Sequence, residues 1–73
     1  MNRGKEMNLI EGLQSEMNRV REIVEVYESL PKNAGAFAAI AMKFTLESAA
    51  IAINTGDTVA MIKCLKDLKS YEL

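Results

Sequence analysis

Residues 10–31 read IEGLQSEMNRVREIVEVYESLP, and this stretch decides the fold. Ile10, Leu13, Met17, Val20, Val24 and Tyr27 follow one another at intervals of 3, 4, 3, 4 and 3 residues. An α-helix turns once in about 3.6 residues, so this spacing brings every apolar side chain to one side. Glu11, Glu16, Arg19, Arg21, Glu22, Glu25 and Glu28 flank the stripe, as in a heptad seam. Ile23 and Val26 widen it toward the C-terminal end, which calls for more than one packing neighbour. Gly12 weakens the helix by about 1 kcal/mol relative to alanine. Pro31 disfavours helical geometry at Leu30, so the spacing predicts a first helix over about 7–30.

Beyond the proline the pattern changes. From Gly35 to Thr55 the only charges are Lys43 and Glu47, and eight alanines lie between Ala34 and Ala52. One face of this second helix, about 35–55, carries Phe37, Ile40, Phe44 and Ile51; another carries Met42, Leu46, Ala49 and Ile53. A helix apolar on two faces is buried on two sides. A membrane span is the rival reading, but Lys43 and Glu47 near its centre would each cost about 2.5–3.5 kcal/mol, so no membrane is expected. Gly56 suits the left-handed residue that ends a helix, and Asp57 the N-cap of the next. A third helix is predicted over 58–71, with Met61, Ile62, Leu65 and Leu68 on its stripe and Cys64 and Tyr71 alongside. Lys63, Lys66 and Lys69 form a basic flank that could complement the acidic first helix. Residues 1–6 read as a polar tail ahead of a single helical domain, 7–73. Short connections make consecutive helices antiparallel. The expected fold is all-α, a three-helix antiparallel hairpin or bundle assembled into a homo-oligomer.

Composition narrows the functions. The chain has 73 residues, 49% of them hydrophobic, and a net charge of −1. So short a chain buries only about 60% of its unfolded surface alone, and surplus apolar surface usually finds another subunit. With no His and one Cys, the sequence leaves out a disulfide framework, a Cys/His zinc site and a His-based catalytic relay. A lone Cys without a secretory signal points to a reducing, cytoplasmic setting. The near-neutral balance argues against a duplex nucleic-acid binder. No Gly-rich phosphate motif is present, Glu47 reads as the partner of Lys43 in an ion pair within the helix or between subunits, and Cys64 reads as a small core hydrophobe. No enzyme, cofactor or metal is expected.

The turn Leu30-Pro31-Lys32-Asn33-Ala34-Gly35-Ala36-Phe37 is the candidate site. A helix N-terminus offers unpaired amides and partial positive charge, and small residues leave them approachable. Lys32 adds a full charge, and Tyr27 and Phe37 place aromatic rings on either side. Amides and lysine for phosphate, with aromatic planes for a base, suit a nucleotide. The plainer reading has Asn33 as N-cap, Lys32 in solvent and both aromatics in the core. Arg19 and Arg21 point to different sides of the first helix, one of them available to a partner subunit.

From Tyr27 to Leu68 the residues resemble a known family. Tyr-x-x-Leu-Pro at 27–31, a short Gly-containing loop, Ala-Ile-Ala at 39–41 and Leu-Glu-x-Ala-x-x-Ala-Ile at 46–53 are similar to the helical hairpin of phage anti-CBASS proteins. Gly-Asp-Thr-Val-x-Met-Ile-x-x-Leu-x-x-Leu at 56–68 continues the likeness. Members of that family are small all-helical homo-oligomers, hexamers among them, that sequester cyclic oligonucleotide immune signals without cleaving them. The resemblance implies ligand contacts from Tyr27, Lys32 and Phe37, with Arg21 and Lys43 as further candidates, in pockets shared between protomers. Many members carry a Trp where the loop enters the second helix; here Phe37 stands nearby and the chain has no Trp. The alternative is a protein–protein interaction module, an adaptor or inhibitor that grips its partner with the heptad face of the first helix.

Overall fold

Nothing in the sequence before Met7 stops a helix. Lys5 and Glu6 are good helix formers, and once the seam is nucleated the turn propagates backward through them. The computed structural model describes residues 2–73, with side chains described from Asn8 onward. In it α1 runs over Asn2–Glu28, so residues 2–6 of the expected polar tail belong to the helix; Met1 lies outside the described residues. The helix stops two residues before the expected Leu30, which is extended (φ −67°, ψ 140°) as the residue preceding Pro31. The Ser29 hydroxyl donates to the Val26 carbonyl at 2.7 Å, satisfying an acceptor freed at that end.

A single 3-10 turn, Pro31–Asn33, links α1 to α2, Ala36–Thr55. Gly56 then adopts the left-handed conformation (φ 68°), with the Asp57 amide donating back to the Ala52 carbonyl at 3.0 Å. The Asp57 carboxylate accepts from the Ala60 amide at 3.1 Å and caps α3, Thr58–Lys69. The Gly-Asp pair therefore does what its sequence announces. α3 ends two residues earlier than Tyr71, where Ser70 turns the chain by donating its hydroxyl to the Asp67 carbonyl at 2.6 Å.

The three helices pack pairwise into an all-α antiparallel bundle measuring 49 × 17 × 16 Å. α1 contributes Leu13, Met17, Val20, Ile23 and Val24 to the core, with Ile10 and Tyr27 half-buried at its edges. Met61, Cys64 and Leu68 come from α3, whereas Ile62, expected on that stripe, stands about 100° off the seam and is exposed. Leu13, Val20 and Leu68 are wholly buried, each contributing roughly 1.5–3 kcal/mol of apolar burial. α2 contributes Ala39, Met42, Ala49 and Ala52, and one polar group, Thr45. Its hydroxyl lies 3.2 Å from the Ala41 carbonyl and 2.9 Å from the Tyr71 hydroxyl, so it is satisfied.

α2 is apolar on two faces, and the bundle covers one. The small residues face inward and allow close helix approach. Phe37, Ile40, Phe44 and Ile51 face outward. By length and composition α2 could cross a membrane, with a mean hydropathy of 1.6 over its best window and 28% of that window buried.

The acidic and basic flanks of α1 and α3 make no ion pair among the described residues. A clasp joins those helices instead. The Arg19 guanidinium donates to the Leu68 and Tyr71 carbonyls, both at 2.8 Å, while Glu16 holds its Nε at 3.0 Å. These carbonyls lie at and just beyond the end of α3, Leu68 accepting from the Tyr71 amide as well, and a cation there also favours the helix dipole.

Candidate functional site

The turn between α1 and α2 is built from unusual backbone. Lys32 and Asn33 both have φ 59°, in the left-handed region. Asn tolerates this readily; Lys does so at a cost of about 1–2 kcal/mol. The turn places Gly35 at the N-cap of α2, where no side chain accepts from the first amides. Asn33 is therefore not the cap that the plainer reading of the sequence assigns. Lys32 is exposed, and Phe37, in the first turn of α2, is 91% exposed.

The two aromatics do not close on one another within this chain. Tyr27 is half-buried, donates its hydroxyl to the Glu72 carbonyl at 3.1 Å, and lines a cleft of about 230 Å³ with Glu28, Asn33, Ala36, Ala39 and Ile40. Phe37 lies outside that cleft, pointing into solvent. Lys43 forms its ion pair with Glu28, at the rim of the same cleft, and not with Glu47 as the i, i+4 spacing suggested. The helices cross so that the Lys43 ammonium meets the last turn of α1, and Glu47 is left without an ion pair among the described residues.

Arg21 is brought to a different place. It donates to Asn18 at 2.7 Å and lines a groove of about 330 Å³ between α1 and α2 with Gln14, Met17, Ala50, Ile53 and Asn54. Gln14, Asn18 and Arg21 follow at intervals of 4 and 3 residues, a polar stripe beside the apolar seam. That spacing was the available signal for the groove; Asn54 joins it only through the pairing of two helices. Of the five candidates, then, the fold sets Tyr27 in one cleft with Lys43 tied only to its rim through Glu28, leaves Lys32 and Phe37 exposed at the turn, and separates Arg21 from the rest.

Cys64 is buried, and its thiol is pushed above its ordinary value, first by burial and then by the Asp67 carboxylate; Lys63 opposes this, and Asp57 adds a smaller push in the same direction. Its partners are those of a core residue. No protein-family model, curated protein or solved structure matches this chain.

Proposed function

We propose that this chain is a non-catalytic binding protein that captures a cyclic di- or trinucleotide at the Pro31–Phe37 turn and sequesters it uncleaved. On this reading it works as a homo-oligomer in the bacterial cytoplasm, antagonising a CBASS-type defence as the proteins it resembles do. One observation carries the proposal. An aromatic ring that is 91% exposed stands at the N-terminus of a helix whose first amides have no side-chain cap. Leaving such a ring in water forgoes roughly 1.5–3 kcal/mol of burial, whereas a base stacked on it recovers about 1–3 kcal/mol. The amides and Lys32 supply the positive potential that a phosphodiester needs. Because Tyr27 and Phe37 line no common cleft, a closed pocket requires a neighbouring protomer's surface.

Thermal denaturation in the presence of cyclic di- and trinucleotides tests this. Stabilisation by several degrees is expected with at least one of them, and the ligand should be recovered intact after denaturation. Lys32→Ala and Phe37→Ala should abolish the shift while leaving the ligand-free melting temperature nearly unchanged, since both side chains are exposed. A flat response across purine and pyrimidine ligands removes the proposal.

A second reading is a protein-interaction module, and the burial pattern moves its contact surface. Leu13, Met17, Val20 and Val24 of the α1 seam are buried in the bundle, so a partner would meet the outer face of α2. Recovery of one stoichiometric partner protein by a chain indifferent to cyclic nucleotides would favour it.

A further inference from the structure

The outer face of α2 carries four of the nine large apolar side chains left exposed among the described residues. Phe37 (91% exposed), Ile40 (64%), Phe44 (71%) and Ile51 (55%) fall within a sector of roughly 60°, opposite the face that packs on α1 and α3. Aromatic side chains bury about 150–250 Å² each, so these four expose on the order of 500 Å². That lies at the upper end of what a monomer leaves in water. With flanking side chains it approaches the roughly 800 Å² per subunit of a stable interface.

The edges of this stripe name its partner. Along one edge lie Lys43 and Glu47, one turn apart, and along the other lie Ala41, Ser48 and Thr55, all uncharged. Two helices packed antiparallel bring like edges together, whereas two packed parallel bring unlike edges together. In a parallel pair the charges would face uncharged residues. In an antiparallel pair centred between Thr45 and Leu46, Lys43 lies within one residue of the partner's Glu47, and Glu47 within one residue of the partner's Lys43, inside the reach of two long side chains. The same register sets Ile40 against the partner's Ile51 and brings Phe44 within one residue of the partner's Ser48, a small residue at the edge of the stripe. Glu47, the acid on this edge of α2, makes no ion pair in the single chain among the described residues, and Lys43 reaches only Glu28. The hydrocarbon interior of a bilayer offers neither charge a counterpart.

We infer that the outer face of α2 is a two-fold, antiparallel interface with a second copy of this chain, held by Ile40, Phe44 and Ile51 and put in register by the Lys43–Glu47 pairs. This deepens the oligomer of the proposed function and rests on that part of the reading alone, not on any ligand. The register also lays the Phe37 end of α2 beside the far end of the partner's α2, so each Pro31–Phe37 turn acquires a wall from the other chain.

Light scattering and sedimentation of the full chain without added nucleotide test the inference. The expected result is a dimer or an even multiple of it, with Phe44→Glu raising the dissociation constant about 30-fold or more while the helical circular dichroism is kept. Lys43→Glu and Glu47→Lys should each weaken self-association about tenfold, and mixing the two variants should restore a stable heterodimer. A monomeric wild-type chain overturns the inference, whether free or floating with phosphatidylcholine vesicles. So does an oligomer indifferent to Phe44→Glu, or the absence of rescue on mixing. A dimer that ignores cyclic nucleotides removes the ligand and leaves the interface standing, so the two failures are distinguishable.

Discussion

Gly35 lies against the backbone of Tyr27 so closely that a Cβ placed on it would come within 2.9 Å of the Tyr27 Cβ and closer still to the Tyr27 carbonyl oxygen. The last turn of α1 and the start of α2 therefore touch main chain to main chain. Gly35 has an ordinary backbone conformation (φ −101°, ψ 8°), so space, not torsion, requires the glycine. Gly35→Ala should destabilise the protein by roughly 1–3 kcal/mol, because a carbonyl cannot swing aside as a flexible side chain can. A fall of roughly 5–15 °C in the melting temperature is the expected readout. An unchanged value would mean that the two helix ends part without cost.

Gly12 is the opposite case. A Cβ there would meet nothing within 4 Å, and the residue sits in the interior of α1. Gly12→Ala should stabilise the chain by about 0.5–1 kcal/mol, through helix propensity and a less disordered unfolded state. Urea denaturation should show a higher midpoint with an unchanged slope.

The Arg19 clasp predicts a difference between two basic residues. Arg19→Ala removes both 2.8 Å bonds to the end of α3 and should cost about 1–2 kcal/mol, moderated by the partial exposure of the guanidinium. Arg19→Lys should recover less than half of the loss, because an ammonium lacks the planar fork that spans two carbonyls. Amide hydrogen exchange at Tyr71 should accelerate in both variants, since the bond from its amide to the Leu68 carbonyl, 3.1 Å long, is the one loosened.

Cys64 should react with a thiol reagent more than tenfold slower in the native protein than in urea, because it is buried and disfavoured as thiolate. The folded thiol holds its proton above the ordinary value of 9.0, so its contribution to stability is fully present below that pH. It is lost as the pH rises further, since the unfolded chain ionises first. Stability should therefore decline on the alkaline side, and Cys64→Ala should remove that part of the decline. An equal slope in the variant would assign the loss to other groups.

Much of this architecture is legible in the sequence because its punctuation is chemical. Pro31 stops one helix through sterics on Leu30, and Gly56 with Asp57 ends and restarts the chain through a left-handed residue and a carboxylate cap. The seam from Ile10 to Tyr27 places the core of α1 by its spacing alone. What the sequence leaves open is which apolar face of α2 turns inward. Phe37, Ile40, Phe44 and Ile51 are more hydrophobic than Ala39, Ala49 and Ala52, yet the smaller set is buried because three helices close together need thin side chains between them. The candidate site is less legible. Tyr27 and Phe37 lie on consecutive elements, but the left-handed turn at Lys32 and Asn33 sends them in different directions. Arg19 looks like any surface arginine until the end of α3 arrives beside it, since a carbonyl acceptor leaves no trace in residue type.

The Thr45–Tyr71 contact bears on how so plain a helix finds one seat. A surface lined by alanines is nearly smooth, and sliding it one turn along its neighbours would exchange one methyl group for another with little change in energy. A hydroxyl in that row answers to a single phenol, and displacing it would forfeit that bond, leaving only the one to the Ala41 carbonyl of its own helix. Thr45 therefore acts as a peg, trading some greasiness for uniqueness, much as one asparagine selects the alignment of a zipper.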